Sequence, residues 1–129
     1  MEKLRKTKAK PAETVTAHPA KELISYDEFS KMDIRTGTIL QAEKVAKTKK
    51  LLKLLIDTGI DKRTVVSGIA EYYDPEKLVG QKVSILVNLA PREIKGILSH
   101  GMILMAENHT GELSFVTSDK EVANGSEIK

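Results

Sequence analysis

Leu51-Leu52-Lys53-Leu54-Leu55-Ile56-Asp57-Thr58-Gly59-Ile60-Asp61-Lys62-Arg63-Thr64-Val65-Val66-Ser67-Gly68-Ile69 is the stretch on which the fold turns. Its leucines favour a helix, and their spacing suits an amphipathic one. The apolar run 51–57 is nevertheless only seven residues long. Thr58-Gly59 ends it as a hairpin turn would. Residues 62–69, with β-branched Thr64-Val65-Val66, then form a natural partner strand. Both runs therefore read as strands, and the chain as a β protein.

Working outward, residues 33–45 are rich in Thr and Ile with Gly37 inside, consistent with a long, bent strand in which glycine permits a bulge. A polar connection, 46–50, leads to the central pair. After it, Asp74-Pro75 and Gly80 bracket a single helical turn, with Asp74 as N-cap and Gly80 as stop. Residues 82–89 are a strand, 101–106 another, and 113–117 a shorter last one. Residues 91–100 read as a mobile basic loop. Upstream, Ser25 and Glu28 have the spacing of a capping box, and Ile24 and Phe29 that of a hydrophobic staple. They predict a helix over 26–32 that buries Phe29 and Met32. Strand order with a helix between the third and fourth strands describes an OB fold, a five-stranded Greek-key barrel. Short helices and a C-terminal extension complete it.

Composition narrows the function. Five aromatics in 129 residues exclude a broad stacking platform. The absence of Cys excludes disulfides and thiolate chemistry and suits a reducing, cytoplasmic compartment. The three histidines, His18, His100 and His109, lack metal-ligand spacing, so no metal or cofactor is expected. No apolar run is long enough for a membrane span, and no catalytic constellation emerges. The net charge is +3. The first 24 residues carry six Lys/Arg against three Glu and so hold all of it. Residues 1–22 read as a flexible basic linker and 23–129 as the folded domain.

Five stretches occur in register: Met32-Asp33-Ile34-Arg35-Thr36-Gly37, Lys50-Leu51-Leu52-Lys53-Leu54, Val66-Ser67-Gly68-Ile69, Asn88-Leu89-Ala90-Pro91-Arg92 and Ser99-His100-Gly101-Met102-Ile103-Leu104. Together they resemble the tRNA-binding domain shared by the C-terminal extension of methionyl-tRNA synthetases, free-standing tRNA-binding proteins and multisynthetase cofactors. Thr36 stands where that family commonly has Val, and His100 where Glu or Gln is usual. The resemblance implies an OB fold, shape-specific binding at the outer corner of tRNA and, in bacterial members, a homodimer. It also implies a synthetase catalytic body as partner, since this chain lacks a synthetase's nucleotide-binding signatures and is not itself an enzyme.

Candidate tRNA contacts follow. Arg35 can fork two phosphate oxygens, or pair locally with Asp33 or Glu43. Lys53 stands inside an apolar strand with Lys49 and Lys50 beside it, as a phosphate-facing patch or a solvated face. Arg92 and Lys95 lie in the 91–100 loop, where Gly96 allows close approach. Asn88 enters through the resemblance, since Asn at a strand end is otherwise a turn former. Ser99 and His100 follow at the loop's return. Met102 packs on a base or ribose or, more ordinarily, in the core. A chaperone-like or secretion-related peptide-binding protein is the alternative, because one branch of the same fold family binds peptides. For the dimer, Tyr26 and the late apolar residues Phe115, Val116, Val122 and Ile128 are surfaces needing cover. A partner subunit supplies it, or the two terminal segments pack on each other.

Overall fold

A computed structural model describes residues 18–129. Most of the expected linker therefore lies outside the described residues. Within them, the central stretch is a β-hairpin. β1 (Ile34–Lys44), β2 (Leu52–Asp57) and β3 (Lys62–Ser67) run antiparallel in order. β2 alternates as a half-buried strand must: Leu52, Leu54 and Ile56 are fully buried, while Lys53, Leu55 and Asp57 are half-exposed. Each of those three side chains contributes roughly 2 kcal/mol of burial.

The sheet order is β3-β2-β1-β4-β7, with β4 at Lys82–Leu86 and β7 at Met102–Ile103. β1 pairs with β4 along its first half and with β2 along its second, so the sheet curls around it into an open half-barrel. The register shift lies between Ile39 and Gln41 rather than at Gly37. Gly37 serves another purpose: a Cβ there would stand 2.9 Å from the Asp57 carbonyl oxygen, so glycine lets β2 approach. Ile39, Ile69, Leu78, Val83, Ile85 and Ile103 complete the core.

A 3-10 turn, Pro75–Lys77, crosses between β3 and β4. Asp74 holds its N-cap position without a side-chain cap bond, and its carboxylate stands 3.8 Å from Lys77 Nζ instead. The helix α1 (Tyr26–Ser30) has the capping box in full, Ser25 with Glu28, but buries none of its residues. Phe29 is half-buried and Met32 exposed, because a five-residue helix on the barrel's edge presents one turn to solvent.

Residues 91–100 are not a loop. β5 (Arg92–Ile94) and β6 (Ile97–Ser99) form a hairpin whose two-residue turn, Lys95-Gly96, has φ of 52° and 81°. Two successive left-handed residues match the strands' right-handed twist, so the turn closes a tight hairpin. The expected strand 101–106 is split, β7 ending at Ile103 and β8 (Met105–Glu107) pairing with β9 (Leu113–Phe115). Phe115 packs on Tyr73 with ring centroids 4.8 Å apart. The chain then returns to β1. Thr36 Oγ1 donates to the Ala123 carbonyl, Thr38 Oγ1 to Asn124 Oδ1, and β10 (Glu127–Ile128) pairs with Ile34 and Arg35.

Candidate nucleic-acid interface

The β5–β6 hairpin stands over β3 and divides two concavities. Between it and β3 runs a trough of about 690 Å³ lined by Lys53, Lys62, Arg63 and His100, with Asp61 the one acid. On its other side is a cavity of about 230 Å³, mostly apolar, lined by Val66, Leu89, Ile94 and Met102 with Arg92. Leu98, Met102 and Leu89 are 50%, 46% and 40% exposed. Solvent exposure of Met102 overturns the expectation that it is an ordinary core residue.

Two polar anchors fix this geometry. Ser99 is buried and accepts the Val66 amide at 3.0 Å, tying the hairpin to β3. Its hydroxyl is thus engaged within the protein. Arg63 grips the Asp61 carboxylate through Nε (3.0 Å) and Nη2 (2.6 Å), and its Nη1 donates to the carbonyls of Val87 (2.8 Å) and His100 (3.2 Å). The Asp61 carboxyl is held below the usual carboxylate range chiefly by the Arg63 hydrogen bond. Partial burial works against this, and Thr58 assists it.

The basic residues predicted as contacts fall into two groups. Arg92, Lys95, Lys53 and His100 surround the hairpin. Lys49 and Lys50 are exposed on the β1–β2 loop. The Lys50 carbonyl accepts the Ala70 amide, which holds that loop near the Ser67-Gly68 edge of the cavity. Lys53 Nζ stands 3.7 Å from Glu43, an exposed pair that holds it loosely. Loops β1–β2 and β4–β7 flanking one face are where an OB fold meets oligonucleotides.

Arg35 and Asn88 belong elsewhere. The Arg35 guanidinium forks onto Asp33 at 2.8 and 3.1 Å. That hydrogen bond raises its pKa above the ordinary value despite partial burial, and Glu127 adds to the attraction. The local pairing with Asp33 therefore holds. Asn88 Oδ1 accepts the Asp33 amide and its Nδ2 donates to the Lys31 carbonyl, stapling β4's exit to the α1–β1 junction. Lys62 and Arg63 also line the trough, and two adjacent bases just past a hairpin turn are their signal in the sequence.

A separate cleft at Ala70–Gln81 balances Lys77 against Glu71 and Asp74 and offers no uniform charge. Among the described residues no group of three His, Cys, Asp or Glu could hold a metal. No helix among them is long and apolar enough to cross a membrane.

Residues 34–127 match the family model described as "Putative tRNA binding domain". The chain is 66% identical over 110 residues to the methionine–tRNA ligase of Cytophaga hutchinsonii, covering 85% of this chain but 16% of that enzyme. Among solved structures, a MetRS-related protein from Pyrococcus horikoshii superposes with a TM-score of 0.79 at 39% identity, over 84% of this chain and all of that one. The chaperone CsaA from Bacillus anthracis does so with 0.76 at 27%, again over 84% of this chain and all of its own. By the family match and the Pyrococcus likeness together, this chain belongs to the tRNA-binding domain family.

Proposed function

We propose that the domain is a non-catalytic tRNA-binding appendage of a cytoplasmic methionyl-tRNA synthetase. The observation that carries this is the hairpin's basic trough, set against an apolar cavity on a face whose charged rim is mostly Lys and Arg. Phosphates are attracted by Lys53, Lys62, Arg92 and Lys95, with Lys49 and Lys50 beside them. Without aromatics on this face, affinity comes from charge and shape rather than a stacking row. Residues 1–22 serve as the basic linker from the synthetase body. The test is purification at low salt: tRNA co-purifies and is released by high salt. A protein that elutes free of nucleic acid and shows no uptake of added tRNA contradicts the reading.

The similarity to CsaA and the apolar cavity favour, as second reading, a peptide-binding role. Under it, an apolar peptide binds with little salt dependence and tRNA does not displace it.

The same reading includes a homodimer. Leu23, Ile24, Tyr26 and Met32 are exposed around α1, and Tyr26 and Met32 share a cleft of about 230 Å³ with Ile128. Exposed apolar residues around one cleft support a self-complementary contact. Two copies double the basic surface offered to one tRNA. Sedimentation at micromolar concentration gives a dimer mass that Tyr26→Glu reduces to a monomer. A monomer mass for the unmodified protein, with tRNA binding intact, removes the dimer from the mechanism.

A further inference from the structure

The cavity beside the hairpin has a chemistry that the trough lacks. Leu89, Ile94, Val66 and Met102 line it, and Leu89 and Met102 keep much of their surface in water. Apolar side chains gathered in a concavity, rather than scattered, mark a surface awaiting an occupant. Its walls are also held in place. Arg63 Nη1 bridges the carbonyls of Val87 and His100, each two residues before a wall residue, Leu89 and Met102 respectively. Ser99 fixes the cavity's hairpin side to Val66. The spacing is therefore set before anything binds, which reduces the ordering cost of binding.

We infer that this cavity holds one unpaired nucleobase of the bound RNA, with the adjoining phosphate on Arg92. The inference rests on the tRNA-binding reading and names what the site takes hold of. Three observations carry it. Arg92 itself lines the cavity, and Lys95 follows the wall residue Ile94 in sequence, so the occupant joins an apolar body to negative charge. The volume, about 230 Å³, lies below the roughly 300–1,000 Å³ of pockets for larger ligands. It suits a single ring system better than a run of peptide side chains. None of the chain's five aromatics lines it. A thioether and three aliphatic side chains supply the contact, and sulfur packs favourably on an aromatic ring. Taking a base from a duplex costs unstacking and unpairing, whereas a loop base costs little. The cavity thus selects RNA with exposed loop bases over plain duplex.

The test uses the full chain with labelled methionine methyls, read by NMR at low salt. The Met102 methyl resonance shifts upfield, by ring current, on adding tRNA or a short single-stranded RNA. It moves little with blunt duplex RNA. Met32, beside α1, is the internal reference. Met102→Ala and Leu89→Ala, both at exposed positions, each weaken tRNA binding roughly two- to tenfold. They leave binding to duplex RNA and the salt dependence unchanged. An unmoved Met102 while tRNA binds overturns the cavity inference and leaves tRNA binding standing. An apolar peptide that shifts Met102 and is not displaced by tRNA assigns the cavity to a peptide and overturns it as well. Failure of every RNA to bind removes both.

Discussion

The hairpin side and the α1–β10 side of the barrel both expose apolar residues, yet they are built differently. On the hairpin side Leu89 and Met102 line a concavity edged by Arg92, and a buried bond from Ser99 with half-buried ones from Arg63 holds its walls. On the α1–β10 side Tyr26 is 78% exposed on a five-residue helix that buries nothing, and the nearby cations face acids, Arg35 engaged by Asp33 and Lys129 Nζ 4.0 Å from Glu127. Bases outnumber acids around the first, whereas the acids Asp33 and Glu127 outnumber Lys129 in the cleft at the second. That difference fits the first to a polyanion and the second to a surface of mixed charge such as another copy of itself.

The sharpest way to break this comparison is to remove Arg63. Arg63→Ala removes a donor from two carbonyls and leaves the Asp61 carboxylate with Thr58 alone, and stability falls by about 2–3 kcal/mol, read as a lower thermal midpoint. Arg63→Lys does not restore it, since one ammonium cannot reproduce the fork and the carbonyl bridge together. Stability unchanged by Arg63→Ala means the cavity walls are held by something else.

Next is the contrast between two arginines. Arg92→Ala weakens tRNA binding by about 1–2 kcal/mol, as loss of a charge-assisted contact does. Arg35→Ala, whose charge Asp33 already satisfies, changes it by less than about 0.5 kcal/mol in the same assay. Equal losses erase the distinction between the two sides.

These contrasts also show what sequence made legible. The shortness of the apolar run 51–57 and the Thr58-Gly59 turn give β2, and with it the OB arrangement, while the alternation of Leu52, Leu54 and Ile56 emerges only in the fold because Leu55 is apolar too. The capping box at Ser25 and Glu28 is read equally directly, since both partners lie within one turn. The β5–β6 hairpin escapes notice. Its strands have three residues each, and its turn places the non-glycine Lys95 in the left-handed region, so no apolar period announces it. Asn88 shows the other limit. Its partners are 55 and 57 residues away, and no local pattern tells a turn-forming asparagine from one that staples a distant helix. Arg63 is hidden in the same way, because its two carbonyl partners are 24 and 37 residues distant.

The smallest effect is in acid. Asp61 is held below its ordinary pKa by Arg63, so its contribution is present above the unfolded value and is lost as pH falls through the folded one. With the carboxylate 46% exposed, solvent screening keeps the contribution small. Stability therefore declines below about pH 4. Asp61→Asn removes this part of the decline and lowers stability at neutral pH. An acid profile identical in the variant assigns the decline to other carboxylates.

Binding to tRNA and to duplex DNA of matching length, measured across a salt series, tests the phosphate-and-shape mechanism most directly. Affinity for tRNA is expected to exceed that for the duplex at every salt concentration. It should fall with a logarithmic slope of about −2 or steeper, as three or more neutralised phosphates require. Equal affinity for the two nucleic acids, or a flat salt profile, contradicts it.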